Sequence, residues 1–149
     1  MNPRIKQAVI GGILATLTMT IFMIMAPIMG IPKMDIPRML SNMMRVSIIL
    51  GWIMHFMIGI TFAIIYALLF VKFLKNIRGN VLKGIVFGIV AFVFAQIALA
   101  IMSFIFGDTP APEGNMVLMM IGSIMGHIVF GIVVALSIRV QVEHKSASN

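Results

Sequence analysis

Two histidines and a sorted set of methionines carry most of the chemistry this sequence can do. His55 and His127 lie within long apolar runs that contain no Asp, Glu, Lys or Arg. Ionisable side chains at membrane depth are rare and mark function, and histidine costs least because its ring can stay neutral. Three roles are open to the pair. Each imidazole can bond a hydroxyl, amide or carbonyl on a neighbouring helix, with Thr16, Thr18, Thr20 and Gln96 as candidate partners. The pair can ligate a b-type haem axially, with the small residues near each ring making room for a flat macrocycle. Or they can line a proton or metal-ion path, although no intramembrane carboxylate accompanies them.

Apart from Met1, the 16 methionines are sorted along the runs: they crowd Met19 to Met57, Met102 and Met116 to Met125, and avoid Ile58 to Phe70 and Ile128 to Ile138. Thioethers are soft ligands for Cu(I), and Met25/Met29 and Met116/Met120 have i, i+4 spacing on one helical face. The competing reading is a conformable surface for a protein partner or for lipid. Catalytic constellations are missing: there is no Cys, no carboxylate pair, no His-Glu-x-x-His and no phosphate-binding loop. Asp108 and Glu113 sit in a Pro/Gly-rich turn and read as solvated, as does His144 in the polar tail. The expectation is a protein that is not an enzyme.

The elements that position these residues follow from composition. Of 149 residues, 61% are hydrophobic and 10% are charged, against about a quarter charged in a soluble domain. A soluble globular enzyme, a disordered tail and a disulfide scaffold are excluded. The net charge of +7 does not indicate a nucleic-acid binder, because phosphate-neutralising residues need a solvated face. Four runs are long enough for the roughly 20 apolar residues that cross a bilayer: Val9 to Met29, Ile48 to Phe70, Gly84 to Phe106, and about Met116 to Ile138. The first run is too long for a signal peptide, and no small-x-small cleavage site follows it.

Basic residues set the orientation. Arg4, Lys6, Lys72, Lys75, Arg78, Lys83, Arg139 and Lys145 fall on one side, and Lys33, Arg38 and Arg45 on the other. Both termini are expected in the cytoplasm, with Trp52 and Tyr66 suiting the two interfaces. In the outer connection, Ile36, Met39, Leu40, Met43 and Met44 recur at helical spacing, with Arg38, Ser41, Asn42 and Arg45 opposite. Asp35 can cap that helix and Pro37 is tolerated in its first turn. It either lies in the outer interface or packs over the bundle mouth.

A shift of 72 residues overlays the second half on the first. His55 falls on His127, Gly59 on Gly131, Ala63 on Ala135, Gly12 on Gly84 and Gly51 on Ser123. The stripes Gly51-xxx-His55-xxx-Gly59-xxx-Ala63 and Ser123-xxx-His127-xxx-Gly131-xxx-Ala135 each hold one helical face. Ala8-xxx-Gly12-xxx-Thr16-xxx-Thr20 and Gly84-xxx-Gly88 do the same on the other two spans. Small residues at this spacing let helices approach closely in lipid. Each repeat has two spans, so the halves insert in the same sense, related by a pseudo-twofold along the membrane normal.

The pattern resembles a group of small bacterial inner-membrane proteins of unknown function. They share a Gly-rich first span, here Gly11-Gly12-Ile-Leu-Ala-Thr16, and an outer Pro-x-x-Asp-x-Pro segment, here Pro32 to Pro37. The histidine-glycine helices, Gly51 to Tyr66 and Gly126-His127-Ile-Val-Phe-Gly131, complete the likeness. The resemblance implies a bacterial inner-membrane location and carries no established activity.

The expected molecule is an all-α, single-domain, four-span membrane protein covering residues 1–149. It is built from two parallel two-helix repeats, about 8–76 and 80–142, plus a short outer helix. The function expected first is a non-catalytic accessory or scaffold subunit of a larger membrane complex, such as a respiratory one, or a self-associating chain. A haem b electron-transfer module and a small copper or proton transporter are the alternatives.

Overall fold

The computed structural model describes residues 3–107 and 114–138. Asp108, Glu113, Arg139, His144 and Lys145 lie outside the described residues. Five helices carry the fold: α1 (Pro3–Met25), α2 (Ile36–Met44), α3 (Ile48–Ile65), α4 (Asn80–Phe106) and α5 (Met116–Ser137). A 3-10 turn (Ala26–Met29) extends α1, and a π-helical turn (Tyr66–Phe70) followed by Val71–Phe73 extends α3. With these extensions, four helices are long and apolar enough to span a membrane: Pro3–Met29, Ile48–Phe73, Asn80–Phe106 and Met116–Ser137. Three of them start or end beyond the apolar runs, because Arg4, Lys6, Lys72 and Lys83 continue helical turns into the polar zone.

Local chemistry sets the ends. Asp35 accepts from the Arg38 backbone N–H (3.1 Å) and opens α2. Ser47 accepts from that of Leu50 (3.4 Å) and opens α3. Asn115 accepts from Val117 and Leu118 (2.9 and 3.3 Å) and opens α5. Pro27 lacks the N–H an α-helical turn needs, so α1 finishes as a 3-10 turn. Gly30, in the left-handed region at φ 78°, then turns the chain away.

The spans pack in the spatial order α3, α1, α5, α4. The duplication recurs in the contacts themselves. A methyl on Gly12 would meet the Ile60 Cα and the Gly59 carbonyl; one on Gly84 would meet the Ile132 Cα and the Gly131 carbonyl. Likewise Gly59 abuts Thr16 and Gly131 abuts Gly88. Each of these pairs maps on the other by the same 72-residue shift, so the two hairpins are built alike.

Between the hairpins the symmetry is broken. α1 and α5 pack along each other, whereas among the described residues α3 and α4 have no extended contact. At the end away from α2, their gap is closed by rings. Tyr66 lies 4.8 Å and Phe70 5.0 Å from Phe87 between centroids, and Phe87 lies 6.4 Å from Phe130. At the other end, called outer below, α2 is the wedge: it packs on α3 and touches α4. A π turn adds a residue per turn and rotates the face that follows, and here it leaves both Tyr66 and Ala67 buried.

Tyr66 therefore departs from expectation. It is 2% exposed and belongs to the core, not to an interface, because Phe87 offers its ring an aromatic neighbour. Ser41 also departs. It faces inward, donates to the Val46 carbonyl (2.8 Å), and sits where a methyl on Gly51 would strike. α2 packs over the bundle mouth through Pro37, Leu40, Ser41 and Met43, with Arg38, Asn42 and Arg45 facing outward. Gly51 thus packs against α2 rather than against another span.

Candidate functional site

The two halves of the bundle are filled differently. The inner half holds the aromatic cluster. The outer half holds a cavity of about 320 Å³ between α1, α2 and α3. Met19, Met23, Met34, Thr20, Trp52 and His55 line it, and Lys33 and Asp35 also contribute.

α1 builds its wall with two adjacent stripes. Ala8, Gly12, Thr16 and Thr20 face α3, while Gly11, Ala15, Met19 and Met23 face α5, where Gly126 lies under Met19 and Met23. Gly122 of α5 likewise lies under Ile31 and Met34 of the outer connection. The Gly122/Gly126 pair and the Gly11 stripe escape a search confined to the duplicated positions. Their own i, i+4 spacing was the available signal.

The histidines follow from the same stripes. Each thronine-rich turn of α1 satisfies itself: Thr16 donates to the Gly12 carbonyl, Thr18 to Leu14 and Thr20 to Thr16, all at 2.8 Å. The Thr20 hydroxyl has one proton and gives it to Thr16. Its 3.2 Å contact with His55 Nε2 is therefore Nε2–H donating to Thr20 Oγ1. In a neutral ring the lone pair is then on Nδ1, which has no partner among the described residues. His127 is arranged the opposite way: its Nδ1–H donates to the Ser123 carbonyl of its own helix (2.7 Å), leaving Nε2 with the lone pair. Phe92, the repeat mate of Thr20, packs edge-on against the His127 ring at 5.6 Å. One histidine of the pair has a polar neighbour and a cavity; the other has an aromatic wall.

Of the expected histidine partners, Thr20 is the one used. Gln96 is not: it is exposed on the outside of α4 and has no hydrogen-bond partner among the described residues. The haem arrangement does not fit. The room beside Gly59 is taken by Thr16 of α1 and Phe130 of α5, and that beside Gly131 by the backbone of Gly84 and Gly88. These glycines bring helices together and leave no slot for a macrocycle. Met25, Met29, Met116 and Met120 are 53%, 54%, 67% and 50% exposed. They lie on the outside, while Met19 (7%), Met23 (3%) and Met43 (6%) are the buried thioethers among the described residues. The packing set of Gly12, Gly59, Ala63, Gly84, Gly88, Gly131 and Ala135 lies at helix contacts, and Ser123 serves His127 through its carbonyl. Among the described residues, no group of three or more His, Cys, Asp or Glu gathers as a metal site.

Comparison with curated proteins and with solved structures gives no match. A family model does match, over residues 3–148. With nearly the whole of its four-span, duplicated chain covered, the protein belongs to the family of unknown function DUF6789.

Proposed function

We propose that the protein is a non-catalytic accessory subunit that docks against a partner helix within the bilayer, using the outward face of α4. The observation that supports this reading is Gln96. It stands ten residues before the end of α4 at Phe106, about 15 Å along the helix at 1.5 Å per residue. A short amide cannot reach the headgroups from that depth. Its two donors and one acceptor would then face hydrocarbon, where each unsatisfied group costs several kcal/mol. A membrane helix presenting a hydrogen-bonding group at matching depth removes that cost, and interhelical bonds of this kind contribute about 0.6–2 kcal/mol. Around Gln96 the α4 surface is smooth and apolar: Val93, Ile97, Ala100 and Ile101 are exposed on it.

The absence of catalytic side chain groupings and the basic residues on one side complete the reading. The protein sits in the bacterial inner membrane with both ends in the cytoplasm, Lys72, Lys75, Arg78 and Lys83 facing anionic lipid there. Extraction in mild detergent followed by native mass spectrometry tests it. A species heavier than one 16.4 kDa chain is expected, and Gln96→Leu should reduce it to the single chain. A lone wild-type monomer refutes the reading.

A further inference from the structure

We propose that the outer cavity is a Cu(I) site, with the thioether sulfurs of Met19, Met23 and Met34 and Nδ1 of His55 as its donors. The proposal is independent of the docking role of α4. Its first support is convergence. The Met23 Cε and Sδ and the Met19 Cε lie 2.8, 3.4 and 3.5 Å from one point, the place of a Cβ on Gly126. The Met34 Cε lies 2.7 Å from the equivalent point on Gly122, one turn outward. The three thioethers, drawn from α1 and the outer connection, lie against two glycines of α5 one turn apart, and all three line the cavity that His55 also lines.

The second support is the set of the histidine. Thr20 accepts the Nε2–H of His55, so the lone pair is on Nδ1. A ring held by one nitrogen so that the other can ligate is the usual support of a metal-bound histidine. His127 lacks this arrangement, because Phe92 stands where Thr20 would be.

The third support is donor chemistry. Thioether and imidazole select soft Cu(I) over magnesium, calcium and manganese, which take carboxylate and carbonyl oxygen. The one carboxylate of the lining, Asp35, is engaged by the backbone N–H and the Nε of Arg38 at 3.1 and 3.3 Å. A monovalent ion on neutral donors adds a single charge to a lining that has one Lys and one Asp.

The test is an anaerobic titration of the full-length protein in detergent, with Cu(I) held by the chromophoric chelator bicinchoninate. One equivalent should leave the chelator. Replacing the three thioether donors together, Met19→Leu, Met23→Leu and Met34→Leu, keeps side-chain volume. It should weaken binding by more than about 100-fold, the upper end of what loss of a supporting residue alone costs. The quadruple variant Met25→Leu, Met29→Leu, Met116→Leu and Met120→Leu should bind as wild type. Failure of the wild-type protein to take copper from the chelator overturns the proposal, as does wild-type affinity in the triple variant or loss in the quadruple one. X-ray absorption on copper-loaded wild type gives a check that needs no variant to fold: sulfur neighbours are expected, and a shell of nitrogen and oxygen alone overturns the assignment.

Discussion

Gly84→Ala is the substitution that most directly probes how these helices are held together. A methyl there would stand 2.5 Å from the Ile132 Cα and 2.8 Å from both the Gly131 carbonyl and the Ile132 nitrogen. All three atoms are backbone, so no side chain can swing aside. Reaching the 3.4 Å at which ordinary contact begins needs α4 and α5 to part by about 0.9 Å, and a gap of 0.5–1 Å forfeits a quarter to a half of each dispersion contact along the seam. With only backbone atoms in the way, overpacking falls at the upper end of its usual range, about 2–3 kcal/mol, offset by about 1 kcal/mol of helix propensity gained on leaving glycine. The net expectation is a loss of about 1–2 kcal/mol, which is a fall of about 2–8 °C in melting temperature for a chain of this size. Gly126→Ala is the control. Its methyl meets the ends of Met23 and Met19, which can move into the cavity, so its melting temperature should equal or slightly exceed that of the wild type. Circular dichroism melts of the three proteins in one detergent decide the matter. A Gly84→Ala protein as stable as wild type, or a Gly126→Ala protein destabilised as much, would refute the argument that backbone contact is what the repeated glycines provide.

Two further outcomes follow from other parts of the fold. Phe87 is 1% exposed and touches the rings of Tyr66, Phe70 and Phe130; Phe87→Ala should cost about 3–5 kcal/mol in the same melts, whereas Phe104→Ala, at a residue 91% exposed, should change little. Because the chain has no cysteine, Lys33→Cys and Lys75→Cys report orientation cleanly: a membrane-impermeant maleimide should label Lys33→Cys in intact spheroplasts and Lys75→Cys only after lysis, and the reverse pattern would invert the topology.

The spans and the duplication were legible in the residues because both depend on patterns local to one helix. Twenty apolar residues can do little except cross a bilayer, and Gly12 and Gly84 occupy equivalent positions whatever surrounds them. The caps at Asp35, Ser47 and Asn115 are equally local, each standing directly before its helix, and the one at Asp35 is read from the sequence alone. What escaped depends on neighbours. Tyr66 is placed by Phe87, some twenty residues on, and by a π turn that has no periodicity to betray it. The cavity methionines were hidden for a different reason. Met19 and Met23 share the i, i+4 spacing of Met25 and Met29, and only the glycines of α5 decide which pair is turned inward. The pairing of His55 with Thr20 was among the sequence candidates, yet its difference from His127 rests on Phe92, which reads as one more apolar residue until the hairpins are superposed.

The most direct test of the docking role is the mass of the protein taken from its own membrane. Native mass spectrometry after mild detergent extraction should show an assembly heavier than the 16.4 kDa chain. Gln96→Leu should release the single chain while leaving its melting temperature unchanged. A wild-type protein that flies as one chain, or an assembly that Gln96→Leu leaves intact, would contradict the account.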